Sequence, residues 1–387
     1  MKTIVVLGAG LAAAPLIRQI MRTAVLTRKD LRMIVVAPNT HFHWPIAMPR
    51  VVVPGQMADE KVMYPLDTIF GQYPADKFEF VLGKASTLDP SGRLITVALN
   101  AGGVQSVAYD TLIVATGSSA KDDMPWKTLG TTDKTVETLR RLQKDIRDAK
   151  TIVVAGGGLT GAETAGELGF EYAKDGTKEV YFIHNRDLPL SPPVLHSVRK
   201  QIKVELEKMK VKVVANTTVT KVTKSSGGDT VLELREADGS TRTLRTQAYV
   251  PTTGLTPNTS FAPASMLDDG GFIKQTTHLQ AEGYDDIFVI GDAGSLEVSK
   301  AYIAEAQMVH LVKALPVYLD GGKMAEYKVN SKEMVGITLG RSRATGQMGK
   351  FRVFSFLIWY MKGRFLGTDY AGLYAAGKKT MMTTFEK

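Results

Sequence analysis

Thr3-Ile4-Val5-Val6-Leu7-Gly8-Ala9-Gly10-Leu11-Ala12-Ala13 opens the chain, and Thr151-Ile152-Val153-Val154-Ala155-Gly156-Gly157-Gly158-Leu159-Thr160-Gly161 repeats its pattern in mid-chain. Each is an apolar β-branched run, then a glycine loop, then an Ala-rich helical stretch. In that context the first glycine makes the tight turn and the second lets a pyrophosphate approach the backbone. The third position (Ala13, Gly161) packs helix against strand. The helix start adds unpaired N–H groups and the positive end of its dipole. One such loop is a weak signal. Two of them, a domain apart, point to two dinucleotides held face to face, the arrangement of a redox enzyme.

Working outward, Met33–Val36 reads as the next strand of the first unit after a helix from Ala12 to about Thr23. Residues 78–114 alternate like hairpins, and the buried strand before Ala115-Thr116-Gly117 follows. Asp133–Ala149 reads as a charged amphipathic helix. The second unit's helix should run from about Leu159 to Ala173, and a further helix spans Pro193–Lys210. The strand before Gly291-Asp292 returns long after the second fingerprint, so the second unit should lie inside the first. The expected fold is α/β: two Rossmann-like dinucleotide-binding domains, the second inserted in the first, plus a small C-terminal α+β cap. The expected boundaries are 1–120 and 255–325 for the two parts of the first domain, 121–254 for the inserted one and 326–387 for the cap.

Composition narrows the chemistry. There are no cysteines among the 387 residues, which removes disulfides, thiolate metal sites, iron–sulfur clusters and any dithiol electron store. His41 and His43 fit a cofactor-lining or structural role, and no metal ligand set is read. No secretory signal precedes the first strand, and Lys2 stands where myristoylation needs glycine. The longest apolar run, Val353–Met361, is too short to span a bilayer. The expectation is a cytoplasmic protein, soluble or peripheral on a membrane surface. A net charge of +9 suits anionic partners: the dinucleotides themselves, nucleic acid, or anionic lipid. Spread over the chain, it also reads as an ordinary solvated surface.

The ordered set formed by the two loops, Arg50, Ala115-Thr116-Gly117, Thr253-Gly254 and Gly291-Asp292 resembles the two-dinucleotide flavoproteins of the pyridine nucleotide–disulfide reductase superfamily. Within it the chain is most similar to the apoptosis-inducing-factor-like branch, which includes ferroptosis-suppressor quinone reductases; type II NADH dehydrogenases are slightly more distant. The resemblance implies FAD at the first loop (Gly8, Gly10, Leu11, Ala12, with Ala13 behind) and NADPH or NADH at the second (Gly156, Gly158, Leu159, Thr160, Gly161). It implies that Arg50 pairs with pyrophosphate oxygens or lines the flavin, a role that suits a guanidinium fork. Ala85 would lie by the adenine, Asp292 would accept from ribityl hydroxyls, and Lys300 would stabilise negative charge at the flavin ring. Glu163 would face the nicotinamide, with Gly254 closing that pocket. Structural alternatives stand beside these roles: a surface arginine, a helix cap at Asp292, an exposed lysine, a solvated helical carboxylate.

Departures from the pattern carry information. No acid ends the second strand; Ala37-Pro38-Asn39-Thr40 leaves the adenosine ribose to Asn39, backbone or water. At the equivalent place in the second unit stand His184, Asn185 and Arg186, an arrangement that lacks a carboxylate for a 2′-OH and offers an arginine to a 2′-phosphate. NADPH should therefore serve at least as well as NADH. Without cysteines, electrons must leave reduced flavin directly, to a quinone-type acceptor, oxygen or another organic oxidant. Three functions follow: an NAD(P)H:quinone-type oxidoreductase, an NADH-responsive DNA- or partner-binding flavoprotein, and a flavin oxidase of specialised metabolism. The complete second fingerprint favours the first. The tail run Phe351–Met361, flanked by Lys350, Lys362 and Arg364, reads either as a membrane-interface segment admitting a quinone or as a buried element of the cap. Its all-round apolar character favours burial.

Overall fold

A computed structural model describes residues 1–386. Its largest sheet has seven strands, ordered Ile287–Val289, Thr111–Val114, Lys2–Leu7, Leu31–Ala37, Phe78–Asp89, Leu94–Leu99 and Val104–Ala108. The first five are parallel and the last two pairings antiparallel. Ile4 to Leu7 are buried on both faces, as a parallel sheet covered on two sides demands. One face packs on Ala13–Ile20 and Ala301–Leu319, whose Leu16, Ile17, Met308 and Leu311 are buried. The opposite face packs on Phe261, Met266 and Ile273.

Thr151–Ala155 is a central strand of a second, parallel sheet with Glu179–Ile183, Lys212–Val214 and Ala248–Pro251. The chain enters this unit after Thr111–Val114 and rejoins the first sheet at Ile287–Val289, so the second unit is inserted in the first. The cap is a three-stranded antiparallel sheet (Met334–Leu339, Arg343–Met348, Phe351–Val353) followed by the short helices Ser355–Ile358 and Ala371–Ala375.

Helix limits differ from the sequence reading in instructive ways. Ala13–Ile20 and Leu159–Leu168 each run on into a single wide turn, Met21–Val25 and Gly169–Ala173, the first ending two residues past its expected span and the second at its expected end. The helix expected from Pro193 begins at His196, after Leu195, whose ψ of 137° is outside the helical region. Ala301–Leu319 continues past Pro316 to Leu319.

The tail run is not buried. Phe351 and Phe354 are 80% exposed and Met361 is 73% exposed, and Phe356 and Tyr360 also face outward. The expectation of burial fails because this short helix and turn lie on one side of a three-stranded sheet. Among the described residues no further element covers their outer face.

Candidate functional site

One cavity of about 1060 Å³ receives both glycine loops. Its shape follows from backbone constraints. Gly8 has φ +110°, and a Cβ there would lie 2.4 Å from the carbonyl oxygen of Ala115, so the loop can cross the neighbouring strand end only with glycine. At Gly161 a Cβ would meet the Gly156 carbonyl oxygen at 1.9 Å, which fixes how closely helix and strand approach. Gly10 and Gly158, by contrast, lie on the cavity wall with open space where a Cβ would point. Neither Ala13–Ile20 nor Leu159–Leu168 has a side-chain cap; the Gly10 carbonyl accepts from the N–H groups of Ala13 and Ala14 and the Gly158 carbonyl from that of Ala162, so no side chain occupies the start of either helix.

The first unit contributes Gly8, Gly10, Leu11 and Ala12 to this wall, followed by Asn39 and Ala85. Ala115, Thr116 and Gly117 join them, with Gly291 and Asp292 at the far strand end. Gly158, Leu159, Thr160 and Glu163 line the second unit's side, together with Asn185, Arg186 and Gly254. Ala13, Gly156 and Gly161 stand behind the loops as packing positions, off the wall. Thr253 is also off the wall. Thr252 is on it, with its hydroxyl held by the carbonyls of Ala155 and Gly156.

Asp292 accepts a hydrogen bond from Ser118 Oγ at 2.8 Å and is ion-paired with Lys127, which also reaches Ser118 Oγ at 2.6 Å. It does not cap a long helix; it lies in the single turn Gly291–Ala293. Lys300 is on the wall, yet both oxygens of Glu333 accept from it, at 2.6 and 2.7 Å. Its charge is therefore already opposed, which weakens the expected electrostatic role at a flavin ring. His41 and His43 both line the cavity. Full burial pushes the His43 imidazole down to about 4, so it is neutral at ordinary pH.

Arg50 requires a correction. It is 5% exposed and off the cavity wall, and its fork is filled by Glu167, which is 2% exposed. Nε donates to both carboxylate oxygens at 3.1 Å, and Nη2 donates to Oε1 at 2.8 Å. Nη2 also donates to the Gly363 carbonyl at 3.0 Å and Nη1 to that of Arg364 at 3.2 Å. One Nη1 hydrogen has no partner among the described residues, but the guanidinium stands behind the wall, away from a pyrophosphate in the cavity. Burial pushes the Glu167 carboxyl up while Arg50 opposes that shift.

Glu163, one turn before Glu167, is buried except where it meets the cavity. Its Oε1 accepts from Lys362 Nζ at 2.6 Å and from the backbone N–H and hydroxyl of Thr338 at 2.9 and 3.1 Å. Lys362 also donates to the Gly336 carbonyl at 2.9 Å. Glu163 is thus a held carboxylate, neither solvated nor free. The sequence reading missed Lys127, Glu333 and Lys362 as wall residues. Each comes from a linker or from the cap, where no spacing rule applies. The basic flank of the aromatic run was the only signal for Lys362.

The fold and this doubled loop have counterparts. Residues 2–308 match the family model described as pyridine nucleotide-disulphide oxidoreductase. The chain is 36% identical to oxidoreductase ptaL of Pestalotiopsis fici, over 92% of this chain and 94% of that one. It is 25% identical to human ferroptosis suppressor protein 1, over 68% and 70% of the two chains. The sulfide:quinone oxidoreductase of Aquifex aeolicus has the same fold, with a TM-score of 0.76 at 15% identity, covering 97% of this chain and 92% of that one. FAD with NAD(P)H is the cofactor pair of this group, and the dithiol in the family's name has no counterpart in a chain without cysteine. The chain is a FAD-dependent oxidoreductase of the pyridine nucleotide-disulphide oxidoreductase family.

Proposed function

We propose that the protein takes hydride from NAD(P)H and delivers the electrons to a quinone-type acceptor without help from sulfur. The observation that carries this reading is the convergence of both glycine loops on one cavity, whose wall also includes the bonded pair Glu163 and the cap's Lys362. The residues fit the two nucleotides. Two uncapped helix starts suit pyrophosphates, and Asn39 Oδ1, a buried acceptor with no partner among the described residues, suits the adenosine ribose on the first side. FAD, when bound, supplies the two-electron chemistry. The chain's own residues orient the two nucleotides, exclude water and keep a proton available: Lys362 Nζ, bonded to Glu163 Oε1, is an ionisable donor on the wall.

An apolar acceptor suits the cap. Met361 belongs both to the exposed aromatic run and to the cavity wall, so the two surfaces are continuous. Lys350 and Arg364 flank this run and Arg352 lies within it, a composition suited to a lipid interface. No helix of the described residues is long and apolar enough to cross a membrane, which limits such contact to the surface. The proposed domain boundaries stay as read from the sequence: 1–120 with 255–325, 121–254, and 326–387.

Anaerobic mixing of the yellow holoprotein with NADPH or NADH, followed by short-chain quinone, tests the proposal. Bleaching and then fast return of colour is the expected result. Return only with oxygen would make it an oxidase. Very slow return with every acceptor, accompanied by salt-sensitive DNA binding, would favour a nucleotide-responsive binder.

Asn185 and Arg186 are exposed at the cavity rim. Arg186→Ala should raise KM for NADPH about tenfold or more, the worth of one charge-assisted contact, and change KM for NADH little. A wild-type preference for NADH that survives the substitution would contradict this.

A further inference from the structure

Arg50, Glu167, Glu163 and Lys362 form a closed circuit that joins all three parts of the molecule. Arg50 belongs to the short helix Met48–Val51 of the first unit. Glu163 and Glu167 lie one turn apart on Leu159–Leu168 of the inserted unit. Lys362 and Gly363 lie on the cap's wide turn Trp359–Gly363. Each acid is taken by a cation from a different part. The two cations are then linked through backbone, since Arg50 Nη2 holds the carbonyl of Gly363, the residue after Lys362. A second contact tightens the circuit: at Gly166, between the two acids, a Cβ would lie 2.8 Å from Leu339 Cα of the cap strand. Helix and cap sheet therefore meet backbone to backbone.

We propose that Arg50 is a positioning residue for the nicotinamide-side wall: by gripping Glu167 and the Gly363 and Arg364 carbonyls together, it sets where Lys362 and Glu163 stand in the cavity, and it does not bind the flavin nucleotide. The inference rests on the proposed function for the catalytic meaning of that wall, while its structural half stands independently. Geometry argues against the cofactor role, because the guanidinium stands behind the wall, engaged by a carboxylate and two carbonyls. Lysine cannot replace it fully, since a single ammonium cannot span that carboxylate and both carbonyls.

The test uses holoprotein of R50K and of the double variant R50M/E167L, which removes both buried charges together and so avoids an unpaired carboxylate. Flavin release, followed by fluorescence, should stay within about twofold of wild type in both. Hydrogen exchange in peptides covering 359–366 should accelerate about tenfold in the double variant and less in R50K, as anchored carbonyls are freed. The limiting rate of flavin reduction by NADPH should fall about tenfold in the double variant, with its half-saturating concentration nearly unchanged and partial rescue in R50K. Flavin release accelerated about tenfold in both variants would make Arg50 a cofactor ligand and overturn the proposal. Unchanged exchange over 359–366 would overturn it equally. If wild-type flavin is not reduced by either nicotinamide, the proposed function fails while the release and exchange results still judge the clamp.

Discussion

Gly8→Val is expected to give protein without flavin absorbance, retaining less than about a tenth of the wild-type flavin content. Two costs combine at this position. The φ of +110° is open to glycine and strained for valine, a penalty of about 1–3 kcal/mol. A Cβ would also stand 2.4 Å from the Ala115 carbonyl oxygen and 2.9 Å from its carbon, atoms of a backbone that cannot rotate away. Relief would require parting Leu7 from Val114, which are register partners in the central sheet. Overpacking of that kind costs about another 1–3 kcal/mol against a total stability of about 5–15 kcal/mol. Gly10→Ala is the informative control, because nothing lies within 4 Å of its Cβ. It should melt like wild type when stripped of flavin, yet bind flavin more weakly, since the methyl occupies the face a pyrophosphate would approach. Full flavin content in Gly8→Val would refute the reading of this loop.

Lys362→Met should lower stability at neutral pH by about 3 kcal/mol, the low end for a buried pair that loses one partner, because the cavity gives the site some water. The orphan would be Glu163, left with only Thr338 as donor. Lys362→Met/Glu163→Gln should recover most of the loss, as no buried charge remains. Urea midpoints at pH 7 for the three proteins measure this. A double variant no more stable than Lys362→Met would show that the pair contributes nothing specific.

The two loops, their strands and the insertion were legible because periodicity and glycine spacing are local properties written in consecutive residues. The same holds for Asp292 and Gly254 at strand ends, which the structure brings to the wall. Arg50 was misread for a physical reason: a guanidinium suits phosphate and carboxylate alike. The competing carboxylate, Glu167, lies 117 positions away on another unit. Lys127, Glu333 and Lys362 reach the cavity only through packing between units, which leaves no period in the chain. The aromatic run shows the opposite failure. Its composition resembles a core, yet its neighbours in space are too few to cover it.

The order of strands has an implication for how the polypeptide reaches its shape. Ile287–Val289 pairs with Thr111–Val114, so the outer sheet waits for partners separated by the whole inner unit, whereas the four-stranded inner sheet is complete once Ala248–Pro251 has been made. Distant pairings form slowly and local ones early. On the ribosome the inserted unit should therefore settle first, as a finished knot around which the older, N-terminal strands remain unclosed until the last third of translation.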